Sequence, residues 1–490
     1  MRLLASLALA VPLAVQAAMG PDDARHLLNR AGFGATPREI AEYAALERTQ
    51  AVERLLAGTG GAAVTAPPQW VREPITPPRA LRGATKEERQ AFLAQEIGRS
   101  FDLRAWWIGE MLATPSPLTE RMTLFWHNHF VSSQQKVRYA RLMYEQNVLL
   151  RRHATGSFAA LLHAVARDPA MIVYLDSASN RKGSPNENFA REVMELFTLG
   201  EGHYAEQDVR EAARAFTGWS LDLDTGAFRF RPFLHDAGAK TVLGRSGNFD
   251  GDEVLDILLA QRATAEFVVA KLWREFVSPE PDPQAVQRIA ARFRAARYDL
   301  KVALRELFLA EAFWAAGSRA ALVKSPVDLV VGTLRALEFQ VGDPLPFALV
   351  TAGLGQNLFA PPNVKGWPGG EAWINSSTLL GRKQFAERIF RAEEMPRMAP
   401  AAARRTGAGE LGRAPGFGRM GEEGRARVLR ALGEIHFDPQ RWLGAFHAPV
   451  SQADLERALL ARAPIVALPP EATPRETIRL LALDPVYQLK

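Results

Sequence analysis

Three Ser-Pro steps do most to limit what this chain can fold into. Ser116-Pro117, Ser184-Pro185 and Ser325-Pro326 each put a hydroxyl at an N-cap and a proline at the first helical position. After the first, Leu118, Met122, Phe125, Trp126 and His129 recur at helical spacing. After the second, Glu187 completes a capping box and Gly200 closes the helix. The third continues through Val327 and Asp328, and helical spacing also runs from Arg25 to Leu56, Asp208 to Thr217 and Thr264 to Val277. Alternation of the strand type is confined to Gly226 through Val242. The expected fold is mainly α: a large irregular multi-helical bundle with a minor β-hairpin excursion around residues 226–242.

No cysteine occurs in 490 residues, so no disulfide holds this fold and a packed core must do so; hydrophobic residues make up 47% of the chain, which is ample. The first residues predict export. Arg2, an apolar run from Leu3 to Val15, and small residues at Ala17 and Ala18 have the order of a cleaved signal peptide over residues 1–18. No later run of about 18 apolar residues follows, so an integral membrane segment is not expected after cleavage. The remaining residues, 19–490, read as a single large helical domain with long loops at about 57–83 and 396–421. The C-terminal helices of 426–490 are expected to pack back on the body, since Leu480, Leu481, Leu483, Val486 and Tyr487 resume an apolar pattern. The formal charge of +6 comes from basic and acidic residues interleaved along the helices. That describes a solvated surface and no nucleic-acid-binding stripe.

Candidate chemistry falls in four places. His127-Asn128-His129 sits between Leu124-Phe125-Trp126 and Phe130-Val131, where titratable rings need hydrogen-bond partners. At ~100° per residue, His127 and His129 point about 200° apart on a continuous helix and cannot clip one metal together. Two core histidines bonded to carbonyls are the alternative. In the helix after Ser184, Phe189, Val193, Leu196 and Phe197 form an apolar stripe, while Asn188, Glu192 and Glu195 line another face beside Arg191. That face is either a salt-bridge ladder or a site whose carboxylates need an arginine, a metal or a proton. His235-Asp236 follows a strand-like stretch and precedes Lys240, a pairing fit for metal or acid–base work or for a plain surface turn. The loop from Pro361 to Trp373 carries Trp367 and Trp373, suited to lining a groove or to pinning the loop to the body. Asp176, His163 and His203 are lesser candidates.

Several segments occur in a telling order: His26-Leu27-Leu28-Asn29-Arg30-Ala31-Gly32-Phe33-Gly34, then Glu120 through Phe130, then Asn186 through Leu196. Asp208-Val209-Arg210 through Thr217-Gly218-Trp219, His235-Asp236 to Gly244, and Pro362-Asn363-Val364-Lys365-Gly366-Trp367-Pro368-Gly369-Gly370 follow. Together they resemble the bacterial family known as domain of unknown function 1800, over nearly the whole mature chain. The resemblance implies export and a possible partner in an alkaline-phosphatase-like family, domain of unknown function 1501, whose genes often neighbour it. It implies no particular activity.

The expected site therefore gathers His127, His129, Arg191, Glu192, Glu195, His235 and Asp236 as catalytic residues, with Asn188, Lys240, Trp367 and Trp373 against the substrate. His127, Glu192 and His235 would hold a divalent Zn, Fe or Mn. The expected reaction is metal-assisted hydrolysis of a cell-envelope polymer or peptide, with iron-dependent chemistry open. The competing expectation is a non-catalytic binding or assembly protein whose motifs form a buried polar network.

Overall fold

The computed structural model describes residues 17–391, 420–446 and 449–490. The predicted signal peptide falls almost wholly on residues 1–16, and most of the predicted 396–421 loop on 392–419, both outside the described residues. The structure is mainly α with two small antiparallel hairpins. Two helices are buried on all sides and form its centre. Pro326–Ala336 hides Pro326 through Leu334 in an unbroken run, and Pro117–His129 hides ten of its residues, Glu120, Arg121, His127 and His129 among them. A helix apolar all round belongs inside a large core; polar residues on it must find partners there.

Backbones meet closely at this centre. A Cβ on Gly332 would lie 2.8 Å from Phe33 O, and one on Gly34, whose φ is +101°, would lie 2.7 Å from Gly332 O. Glycine at both positions lets the turn after Gly20–Ala31 cross Pro326–Ala336 backbone to backbone. The long Lys86–Ala113 helix packs along Leu345–Gly353. Among the described residues no helix is long and apolar enough to cross a membrane.

Ser325 caps its helix as expected, in a capping box with Asp328; Pro117 opens its helix as expected, but the Ser116 hydroxyl bonds the Thr119 hydroxyl and caps no backbone N–H. The second Ser-Pro step behaves differently. Ser184 forms a bridge with Arg181, and the helix starts only at Asn188, whose N–H is held by Asn186 Oδ1 at 3.0 Å. The asparagine side chain supplies the local turn, so neither Ser184 nor Glu187 caps anything. After Glu192 the helix widens into a π-helix over Val193–Thr198.

The run from Arg25 to Leu56 is three helices, Gly20–Ala31, Pro37–Ala44 and Arg48–Ala57, because Gly32 to Gly34 and the Thr36 cap interrupt it. Strand structure also extends beyond 226–242. β1 (Trp219–Leu221) pairs with β2 (Phe228–Phe230), and β3 (Lys240–Val242) with β4 (Arg245–Gly247). β1 is buried at all three residues, so it carries no alternation to read. The 57–83 stretch is a loop with a 3₁₀ turn at Gln69–Arg72 and a short helix at Pro78–Arg82. It is tied down by the Glu110 carboxylate, which accepts from Val64 N–H, Thr65 N–H and the Thr65 hydroxyl.

The last residues of the chain lie against the Pro326–Ala336 helix. Lys490 Nζ reaches Asp328 at 2.8 Å, and Tyr487 and Thr333 share a hydroxyl hydrogen bond of 2.9 Å.

Candidate functional site

The last turn of Pro117–His129 sends His127 and Asn128 to one loop and His129 to the opposite side. His127 Nε2 accepts the backbone N–H of Phe359 at 3.2 Å, which leaves the ring proton on Nδ1. Its ring lies among Trp107, Phe359 and Trp367, and burial draws its pKa down to about 3. Asn128 Oδ1 accepts from Trp367 N–H at 2.7 Å. His129 faces the other way, as its i, i+2 spacing requires. Its Nε2–H donates to Phe197 O at 3.1 Å and its Nδ1 accepts from Lys271 Nζ at 3.1 Å. Burial, then the Lys271 charge, hold its pKa well below the usual histidine value against the hydrogen bond to Phe197 O.

Lys271 also donates to Leu196 O at 3.1 Å. The helix ends at Gly200, φ +80°, and the carbonyls of its last turn have no N–H beyond them to accept from. His129 and Lys271 satisfy two of these carbonyls, and a cation suits a helix C-terminus. Burial pulls the Lys271 ammonium down to about 8. His127, Asn128 and His129 thus clamp the π-helical segment on one side and the Phe359 to Trp367 loop on the other.

The clamp is geometrically strict at Gly366. This residue has φ +80°, and a Cβ there would overlap Asn128 Oδ1 and lie 2.8 Å from Asn128 O. Gly366→Ala is expected to cost at least about 1–3 kcal/mol from backbone strain alone. It should lower the urea midpoint and red-shift tryptophan fluorescence as Trp367, now 5% exposed, leaves its seat; unchanged unfolding and emission would refute this docking.

What the clamp holds in place is a carboxylate pair at the α-to-π junction. Glu195 Oε2 accepts the Tyr204 hydroxyl at 2.8 Å, and its Oε1 faces Lys365 Nζ, on the clamped loop, at 3.9 Å. Glu195 is 20% exposed and Lys365 65%, so this face opens to solvent. Glu192, one turn earlier and half-buried, carries no hydrogen bond or ion pair among the described residues. Burial, then the Glu195 charge, raise its carboxyl above the usual range, against Arg191 and Lys365. Burial and Glu192 in turn raise the Tyr174 phenol. The Tyr204 phenol is pushed up to about 12 by burial and by its bond to Glu195. Arg191 turns outward to Glu206 (2.7 Å) and Glu187 (3.2 Å), leaving Glu192 unneutralised. A groove lined by Ile172, Val173, Asp176, Ala178, Ser179 and Asn186 lies on the segment that carries Tyr174.

Other expected residues stand apart. Asp236 is bound to Arg214 at 2.7 Å, and those hydrogen bonds hold it down to about 2. His235 Nδ1 lies 3.0 Å from Thr217 O, with its ring against Phe230. Lys240 is 1% exposed and donates to Gly238 O at 3.0 Å, so it cannot meet a substrate without moving. Trp373, at 7% exposure, is buried like Trp367; both pin the loop. Asn188 is exposed at the helix start. Asp176 pairs with Lys136 at 2.6 Å and His163 bridges Asp252 and Asp256. No three His, Asp or Glu side chains are gathered as a metal requires among the described residues. The set His127, Glu192 and His235 does not fit one, because the His127 Nε2 lone pair already takes a backbone N–H.

Tyr204, Lys365 and Lys271 were missed in the sequence. Lys365 lies within the Pro362 to Gly370 motif and Tyr204 shortly after the Asn186 to Leu196 one, a weak signal; Lys271 carries none.

A family model described as protein of unknown function (DUF1800) matches residues 26–489, nearly the whole chain. Neither a curated protein nor a solved structure matches.

Proposed function

We propose, from the premise that this chain belongs to the DUF1800 family, an exported hydrolase that acts on a cell-envelope polymer or peptide by acid–base chemistry at Glu192 and Glu195. The observation that carries this reading is the unequal carboxylate pair on a solvent-facing rim. Glu192 is unpaired and its carboxyl is shifted upward by burial and by the Glu195 charge, the direction a general acid for a leaving group needs. Glu195 is aimed by the Tyr204 hydroxyl and is placed to draw a proton from an attacking water. Lys365 at 3.9 Å supplies positive charge where negative charge develops. His127, Asn128 and His129 act in this reading by holding the rim together, with no proton to transfer.

Export is argued from the apolar leader ending at Ala17 and Ala18. An alkaline-phosphatase-like partner of the domain of unknown function 1501 family follows from the family resemblance. The residues do not fit the expected divalent metal, and no step is routed through one.

A second reading is favoured by one observation. Each side chain of the His-Asn-His turn holds a backbone group of another segment by a hydrogen bond, which equally suits a binding or assembly protein.

The two are separated by Glu192→Gln and Glu195→Gln, assayed for reducing ends and amines released from purified peptidoglycan sacculi and for soluble peptide released from casein. The hydrolase reading expects each variant to fold like the wild type and to lose about 10²–10⁴-fold in rate. Wild-type rates in both variants, or no turnover by the wild type on any of these polymers, would overturn it.

A further inference from the structure

On the far side of the core from the carboxylate rim, a small cavity lies between the Gly20–Ala31 helix, the Pro326–Ala336 helix and the C-terminal segment. Asn29, Phe33, Lys324, Asp328, Tyr487 and Lys490 are among its walls. Its ion pairs are nearly closed. Asp328 Oδ1 takes Arg121, while its Oδ2 takes Lys490 Nζ at 2.8 Å and Ser325 N–H at 3.0 Å. Arg121 and Lys490 also reach Glu275, at 3.3 and 4.0 Å. Two cations therefore face two carboxylates, and every Asp328 oxygen is engaged.

Lys324 is the charge left over. Its ammonium sits 3.9 Å from the centre of the Tyr487 ring, and no carboxylate pairs with it among the described residues. A buried cation, Arg382, lies alongside: its Nη2 donates to Lys324 O at 2.9 Å and its Nη1 to Gln488 Oε1 at 3.1 Å, both neutral acceptors. The charged groups acting on Lys324 are Asp328, Lys490, Arg382 and Arg25, three of the four like-charged. Burial, then Lys490, Arg382 and Arg25, draw it down to about 7 against Asp328. A surplus of positive charge partly withdrawn from water favours an anion that offsets it.

The cavity has about 20 Å³ open to the centre of a water-sized sphere, enough to seat a monatomic ion. The amide of Asn29, which lines the cavity with no hydrogen bond among the described residues, supplies a neutral donor.

We propose that this cavity is a binding site for a halide-sized monovalent anion, held by the Lys324 ammonium over Tyr487 with Asn29 as a second donor. Such an ion would tie the C-terminal segment to the Pro326–Ala336 helix.

The full chain is melted at pH 6 in sodium chloride, sodium bromide or sodium gluconate at equal ionic strength. Chloride and bromide are expected to raise Tm saturably by about 1–2 °C over gluconate. Lys324→Met should abolish that difference, and Asn29→Leu should weaken it should the lysine variant fail to fold. Bromide-soaked crystals should show an anomalous peak in the cavity. Equal melting of the wild type in all three salts, an undiminished halide effect in both variants, or an empty cavity in the bromide map would each overturn the proposal.

Discussion

Replacing Arg151 with methionine is expected to destabilise the protein by about 3–5 kcal/mol, the cost of leaving a buried charge without its partner. Arg151 and Glu120 are each 1% exposed and joined twice, Nε to Oε1 at 2.5 Å and Nη2 to Oε2 at 2.9 Å. Trp107 Nε1–H adds a bond to Glu120 Oε2 at 2.8 Å, and Arg151 Nη1 donates to Asn147 Oδ1 at 2.7 Å. Without the guanidinium, Glu120 retains one indole donor in an apolar helix and must take up a proton or drag in water. The double variant Glu120→Gln with Arg151→Met removes both charges and should recover a large share of the loss. Urea unfolding of the two single variants and the double variant measures this. A double variant whose loss equals the sum of the two single losses within about 0.5 kcal/mol would mean that the pair is not coupled.

The second large effect is acid lability. His26, 5% exposed and bonded to Phe313 O at 2.8 Å, is drawn down to about 3, as is His127; His129 is lowered well below the usual histidine value. In the folded state all three stay neutral at pH 5, whereas unfolded they protonate below about 6.5. A base whose folded pKa is depressed contributes stability that is present above its unfolded pKa and lost as pH falls below it. Asp168 opposes them. Burial raises it to about 7, against hydrogen bonds from Met171 N–H and Gln146, so near pH 5 it holds a proton when folded and releases it on unfolding. The difference is two protons, a slope of about 2.7 kcal/mol per pH unit around pH 5. Stability by denaturant titration should therefore fall steeply from pH 6 to 4. Asp168→Asn, which keeps the helix cap, should steepen the fall by about one proton. A flat profile between pH 6 and 4 would show that the histidines are solvated in the folded state.

Both effects stem from the same architectural choice, helices buried all round that still carry charged and titratable side chains. The helical class was legible because Ser-Pro starts and apolar spacing are local signals, and the helix that opens at Ser325-Pro326 shows such a start working as read. The 184–188 turn shows its limit. There Asn186 captures the first N–H from the Asn188 backbone, a competition between two side chains that spacing cannot rank. Strand β1 was illegible for another reason, since a strand buried at every position has no alternation. Of the candidate site, Glu192 and Glu195 were legible as one face of a helix, but not that Arg191 would abandon them for Glu206.

The His127-Asn128-His129 turn divides what each level decides. The sequence by itself determined that the two rings diverge, because 3.6 residues per turn allows nothing else, and that both must be buried and neutral or find partners. Only the tertiary structure chose the partners: Phe359 N–H lies 232 residues away from His127, and Lys271 142 residues from His129. Such pairings are set by how whole helices pack against one another, a property that no local run of residues carries.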